Sequence, residues 1–336
     1  MRDPLFFFVF IILLYYVLKK PFIGVSIWLW ISLMYPKGWL YGFAQGIRYN
    51  LIVAAITIVT YIFMKNKPHT PRNSLTVLVF LFLFWTLITS FFNIGLSEIV
   101  WADWIELVKI VALFFCTCLI IRSDNHINTV VWVIALSVGF YACVEGLKYI
   151  VSGGGHVLAG MAGHELGERN DLAAAINMCI RFIVYLLVIT KEKIVRISII
   201  LMLVLCVVSV LGSNSRGGFV GITVLGIYFW FKSTNKLLYL IVVPSLFLFG
   251  IEYMPESWHQ RMATIEHAGE DGSFLGRIMA WKQAVLIALS NFTGGGFKAG
   301  QLNYNWFLYY PQFEFNWLID TSAVEITEAK AAHSIY

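Results

Sequence analysis

Charge is what this sequence has least of. Only 13% of its 336 residues are Asp, Glu, Lys or Arg, while 59% are hydrophobic. A soluble domain carries roughly a quarter charged residues. Half of the usual polar coat is missing, which excludes a soluble domain for most of the chain. Also missing are a Gly-rich nucleotide loop, zinc-ligand spacing and a Ser nucleophile elbow, so no metal, nucleotide or other cofactor is indicated. The net charge of +5 is small for this length and argues against a nucleic-acid partner. The five cysteines, Cys116, Cys118, Cys143, Cys179 and Cys206, all sit in apolar runs and read as small buried hydrophobes. Cys116 and Cys118 are two apart, so on a helix they point to different faces and suit neither a metal nor a disulfide.

What the chain does have is long apolar runs. Residues 74–92 read SLTVLVFLFLFWTLITSFF without one charge, and 197–212 and 237–251 are similar. A spanning helix needs about 20 apolar residues, within a range of roughly 17–25, and only helices or closed barrels satisfy the backbone in lipid. Runs so long and so uniformly apolar do not suit barrel strands. The fold class is therefore all-α, a polytopic transmembrane helical bundle. Spans are expected at approximately 4–18, 22–35, 49–64, 75–92, 105–121, 127–149, 171–190, 196–212, 218–231 and 237–252, about ten in all. The first two are short and read as a tilted or re-entrant pair. Residues 5–18 have the length of a signal core, but they lack a small-residue cleavage site and run straight into Lys19-Lys20-Pro21 and a second apolar run. They read as a retained first span.

Orientation follows from the basic residues of short loops. One alternate set of loops holds Lys19, Lys20, Lys65, Lys67, Lys191 and Lys193 among others, whereas the other set holds Arg2, Arg48, Lys148 and Arg169, with Arg216 at a helix edge. The richer set is assigned to the cytoplasm. The amino terminus and everything after the tenth span then face outward. Residues 1–252 form the transmembrane bundle and 253–336 a large outward loop. A loop of that size exceeds a connector and usually carries function. Within it, 273–290 reads as one helix, with Asp271 and Ser273 as caps and Gly294-Gly295-Gly296 as its stop. Arg277 and Trp281, four apart, share a face; Ile278, Val285 and Leu289 line another. The sequence stops at Tyr336 in this polar loop, so further spans are expected beyond it.

Candidate chemistry begins with charges at membrane depth, where they are costly. Arg216 stands in Ser213-Asn214-Ser215-Arg216-Gly217-Gly218 between two spans. Its rigid five-donor fork suits phosphate, and the glycines allow close approach; an interfacial arginine snorkelling to headgroups is the plainer reading. Arg181, inside the seventh span, has a carboxylate or a lipid phosphate as candidate partner. Glu106 and Lys109 read as an ion pair one turn apart, and Asn170 and Asp171 as helix caps. His333 in Ala331-Ala332-His333-Ser334-Ile335-Tyr336 has the pKa range of a general base. Glu270 and Asp271 are too few for a cation site.

In order and placement, three of these segments carry a resemblance: Ser215-Arg216-Gly217-Gly218 opening a span, Gly276-Arg277 with Trp281 followed by Gly294-Gly295-Gly296-Phe297, and Ala332-His333-Ser334-Ile335-Tyr336. The chain resembles the O-antigen ligase/polymerase superfamily of bacterial membrane glycosyltransferases. It is most similar to the O-glycosylation ligases associated with exosortase A systems, through segments such as Met1-Arg2-Asp3, Lys20-Pro21-Phe22-Ile23-Gly24 and Met254-Pro255-Glu256-Ser257-Trp258. The resemblance implies a multi-pass bundle like the GT-C-type glycosyltransferases, in the bacterial inner membrane, with a site facing the periplasm. It implies transfer of a glycan from an undecaprenyl-diphosphate carrier to a protein, lipid or polysaccharide acceptor, without metal or nucleotide. Carried across by position, it makes Arg216 and Arg277 the diphosphate clamp, His333 the base, and Ser215, Gly217 and Trp281 substrate neighbours. Where many O-antigen ligases have His-Asn, this chain has His333-Ser334, which fits the subgroup and weakens the inference of a lipid acceptor. An O-antigen-type polymerase is the alternative enzyme. A transporter would show inverted repeats and broken helices, and no repeat is visible; a non-catalytic scaffold is the remaining class.

Overall fold

The computed structural model describes residues 2–65, 67, 73–234, 236, 256, 259, 272–309 and 329. The expected tenth span at 237–252, the Glu270-Asp271 pair and His333 lie outside the described residues.

Nine helices occupy the positions of the first nine expected spans: α1 (Arg2–Lys19), α2 (Pro21–Met34), α3 (Tyr49–Ile62), α4 (Ser74–Phe91), α5 (Ser97–Ile120), α6 (Asp124–Val151), α7 (Arg169–Ile189), α8 (Lys193–Gly212) and α9 (Arg216–Lys232). Two more follow in the carboxy-terminal part, α10 (Gly272–Ser290) and α11 (Asn303–Tyr309). The described residues contain no strand, so the protein is an all-α membrane helical protein. Among them α4, α6, α7 and α8 are long and apolar enough to cross a bilayer by length and composition, and α2 and α3 are shorter apolar helices.

The helix ends have local causes. Lys20-Pro21 closes α1 and opens α2, because proline suits the first helical position and lacks the N–H that would be orphaned there. Tyr35, at φ 46°, ends α2 in the left-handed region, and its N–H donates to the Ile31 carbonyl. Asn73 and Ser123 cap α4 and α6 by accepting from the Leu75 and His126 N–H groups. At α7 the cap position is Glu168, without a side-chain bond. Asn170 and Asp171 therefore stand inside the first turn and do not cap it, contrary to the sequence reading. Ser273 likewise lies within α10, which starts one residue earlier.

The chain divides into two compact units. One joins residues 1–68 to 119–262, and the other joins 69–118 to 263–336. In the first unit the core lies between α6, α7 and α8, where Val131, Ala135, Val138, Ile176, Ile180 and Met202 pack together. Small residues bring the helices close, as membrane bundles require in the absence of a hydrophobic drive between them. A Cβ on Gly146 would come within 2.8 Å of the Leu205 carbonyl, and Ser209 Oγ donates to the Ala142 carbonyl at 2.6 Å. Cys179 and Cys206 lie buried in this unit.

The second unit consists of α4, nearly all of α5, α10 and α11. Here the glycine run acts as a docking piece. Gly294 and Gly296 both have φ +80°, a conformation glycine adopts without strain. The Ile94 N–H donates to the Gly295 carbonyl at 3.1 Å, and a Cβ on Gly296 would reach 2.7 Å from that of Asn93. The run that stops α10 thereby fastens it to the α4–α5 turn. The polar first half of α5 is neutralised in two ways. Glu106 pairs with Lys109 within the helix, as the spacing predicts, and Asp103 pairs with Lys298 at 3.0 Å.

Candidate functional site

The Arg216 neighbourhood is built by the turn between α8 and α9. Ser213 Oγ donates to the Val210 carbonyl at 2.7 Å and accepts from the Ser215 N–H at 3.2 Å. Asn214 sits at φ 53°, a region asparagine tolerates better than most residues. Ser215, only 3% exposed, caps α9: its Oγ accepts from the Gly218 N–H at 3.1 Å. The same hydroxyl donates to Asn170 Oδ1 at 2.8 Å. One side chain thus joins the amino ends of α7 and α9, and Arg216 is the first residue of α9. Asn177, one to two turns further along α7, donates from Nδ2 to the Gly218 carbonyl at 2.9 Å. Its Oδ1, like that of Asn214, is buried without a hydrogen-bond partner among the described residues.

The two glycines after Arg216 do different work. A Cβ on Gly218 would lie 2.8 Å from that of Ala173, so this glycine sets the contact between α7 and α9. Around Gly217 nothing comes nearer than Ser215 Oγ at 4.0 Å. Of the pair, Gly217 leaves room beside Arg216, and Gly218 is a packing residue.

Arg277 lies in α10, half-buried, with Trp281 four residues on and 46% exposed. The Arg277 Nε is buried and has no hydrogen-bond partner among the described residues. Leaving such a donor unsatisfied costs roughly 1–3 kcal/mol, more when it is charged. Next to Trp281, Lys282 and Gln283 are turned inward, at 3% and 0% exposure. Gln283 Nε2 donates to the Asn305 carbonyl at 3.0 Å.

Of the sequence-predicted site residues, Ser215, Arg216 and Gly217 form one turn in the first unit. Arg277 and Trp281 share a helix in the second unit. His333 lies outside the described residues. Arg181 has a partner that the sequence reading did not anticipate: its Nη2 donates to the Tyr228 hydroxyl at 3.1 Å, and the guanidinium lies over the Tyr228 ring at 5.0 Å. It is held between α7 and α9 by an aromatic residue, not by a carboxylate.

Two polar groupings were missed from sequence. One is the Asn170 link to Ser215, for which an asparagine at the mouth of a span was the available signal. The other is Glu145, 7% exposed, whose carboxylate meets Lys148 Nζ and His156 Nε2, each at 2.7 Å. Its signal was a glutamate near the end of an apolar span, one turn before a lysine. Nothing in the sequence foretold the histidine, because the Gly153-Gly154-Gly155 turn folds it back.

These features define a polytopic helical membrane protein with a polar turn and an arginine-bearing helix outside its spans. Residues 201–336 match the family described as O-antigen ligase, and residues 1–167 match a family of unknown function (DUF5935). No curated protein and no solved structure matches the chain. The match over the carboxy-terminal residues 201–336 supports the O-antigen ligase/polymerase superfamily. All three segments that carry the sequence resemblance, at 215–218, 276–297 and 332–336, fall within the matched residues. The family is one of glycan-transferring membrane enzymes.

Proposed function

We propose that the protein is a glycan ligase. It moves an oligosaccharide from an undecaprenyl-diphosphate carrier to an acceptor hydroxyl at the periplasmic face of the bacterial inner membrane. The observation that carries the reading is the buried, unpartnered Nε of Arg277 in a segment matched to O-antigen ligases. A guanidinium in want of an acceptor suits a diphosphate oxygen, which it can take bidentately. Arg216, placed at the start of α9 by the Ser215 and Asn170 bonds, is assigned the second arm of the clamp. Ser215 and Gly217 shape the space beside it, and Trp281 offers a ring to the sugar or the carrier.

In the reaction the bond between the anomeric carbon and the diphosphate oxygen breaks, and the acceptor oxygen forms the new bond to that carbon. The acceptor proton passes to His333, and undecaprenyl diphosphate leaves with the added negative charge. Two arginines stabilise charge that develops in the transition state, where fixed donors act most strongly in a water-poor site. The leaving group is already a good one, so the scheme needs no metal, and transfer is expected to persist in EDTA. On the sequence resemblance to exosortase-associated O-glycosylation ligases, a protein hydroxyl is the proposed acceptor, with a lipid or polysaccharide hydroxyl as the alternative.

The test is reconstitution with carrier-linked glycan and candidate acceptors. The ligase reading expects glycan on the acceptor, and Arg216→Ala or Arg277→Ala to lower transfer by about 10²–10³-fold in correctly inserted protein. A ladder of longer carrier-linked glycans would identify a polymerase instead. His333→Ala is expected to lower turnover more than donor binding; unchanged turnover removes its role as base.

A further inference from the structure

The outward helix α10 is built inside out for a helix in water. Its polar residues in the middle, Lys282 and Gln283, are 3% and 0% exposed, while Val285, Leu289 and Phe292 are 40%, 79% and 93% exposed. From residue 281 to residue 292 the exposed positions are Trp281, Ala284, Val285, Ala288, Leu289, Ser290 and Phe292, without one charge. The short helix α11 repeats the arrangement: Asn305 is 1% exposed, while Tyr304, Phe307 and Leu308 are at least half exposed. Soluble helices do the opposite and keep their charged face in water.

The position of α10 within its unit supplies the reason. Gln283 Nε2 donates to the Asn305 carbonyl at 3.0 Å, and Asn305 Nδ2 in turn donates to the Ile94 carbonyl at 3.2 Å and the Ala299 carbonyl at 2.9 Å. Ile94 is also bonded to Gly295 at 3.1 Å. Ile94 belongs to the turn that ends α4, and α4 is a span whose flanks are open and apolar; Phe91 and Phe92 at its end are 66% and 64% exposed. At this end Phe91 meets Trp101 at 5.0 Å, and Trp101 meets Trp104 at 5.7 Å. Aromatic girdles of this kind mark the boundary between hydrocarbon and headgroups. A chain of buried hydrogen bonds therefore holds the end of α10 at the level of the membrane surface.

We infer that α10 and α11 lie on the bilayer, with the stripe formed by Val285, Leu289 and Phe292 seated among the lipids of the leaflet that the α4–α5 turn reaches. The occupant of this apolar face is lipid. α4, to which the end of α10 is bonded through Ile94, also leaves apolar residues exposed along its length, and a face without charge gives a soluble partner no polar contacts to read. The inference does not depend on the ligase reading. If both hold, the seated helix carries Arg277, one turn before Trp281, to the depth at which a lipid-borne diphosphate travels.

Fluorescence quenching in liposomes tests this. Leu289→Cys and Phe292→Cys are labelled with an environment-sensitive dye in the full chain, with wild-type protein as the blank for the native thiols. Phe91→Cys serves as the membrane reference and Glu165→Cys as the loop reference. The seated helix predicts quenching by doxyl-labelled lipid within about twofold of the Phe91→Cys value, and iodide quenching well below the Glu165→Cys value. Iodide quenching equal to the loop reference overturns the inference. Shielding from both quenchers also overturns it, because a protein surface would then be the occupant. Phe292 is almost fully exposed and loses no packing on substitution, so its result stands even if Leu289→Cys misfolds.

Discussion

Arg216 and Arg277 sit in opposite kinds of surroundings. Beside Arg216 the polar groups are knitted together. Ser215 caps α9 and reaches across to Asn170 at 2.8 Å, while Asn177 holds the Gly218 carbonyl at 2.9 Å. At Arg277 the helix itself is tied down through Gln283 and Asn305, yet the arginine's own Nε lacks a partner among the described residues. The first arginine starts a helix whose neighbouring polar side chains are bonded to one another, whereas the second carries a buried donor without a partner among the described residues.

Substitutions at five positions would break or sharpen that comparison. The largest effect is expected at Arg277. Arg277→Ala should lower the transfer rate by about 10²–10³-fold, the scale of losing one preorganised donor at developing charge. Arg277→Lys should rescue little, since an ammonium cannot reproduce the fork; rates in proteoliposomes at equal inserted protein decide this. Next comes Gly296→Ala. It puts a side chain at φ +80° and 2.7 Å from the Asn93 Cβ, and should cost about 1–3 kcal/mol, read as an earlier thermal unfolding transition in detergent. Gly217→Ala, with nothing closer than 4.0 Å, should leave that transition in place.

A smaller effect is expected at Asn170. Asn170→Ala removes the acceptor for Ser215 and should slow transfer by about fivefold, in line with one hydrogen bond of roughly 1 kcal/mol. Asn170→Asp, which still accepts, should restore most of the rate, whereas a merely structural role would move stability in both variants alike. The smallest is Lys298→Ala. Its pair with Asp103 is half exposed on the lysine side, and such pairs are worth about 0–1 kcal/mol. A large loss of stability on removing it would mean that this ion pair, and not the glycine run, fastens α10 to the α4–α5 turn.

Much of the fold was legible from the chain alone because lipid imposes a simple rule. A backbone in hydrocarbon must bond to itself, so uninterrupted apolar runs become helices almost wherever they occur. Residues 74–92 became α4 within a residue at each end, and Lys20-Pro21 marked the break between α1 and α2. The one-turn pair of Glu106 and Lys109 was equally legible, since helical spacing settles which side chains meet. The site was legible in part. Arg216 and Arg277 stood out as charges next to apolar runs, but their neighbours did not. Asn170 read as a cap because asparagine usually caps; it lies two positions past the Glu168 cap and bonds a serine 45 residues away.

By itself, then, the sequence determined the all-α membrane class, the approximate positions of α1 to α10 and the segments that mark the superfamily; α11 was not foreseen. All of these depend on composition and local spacing. Only the tertiary structure decided that Ser215 meets Asn170, that Arg181 lies on Tyr228, that Glu145 holds His156, and that the glycine run binds the α4–α5 turn. Each is a contact between distant stretches of chain, and it exists because small residues let particular helices approach closely enough for their polar groups to find one another.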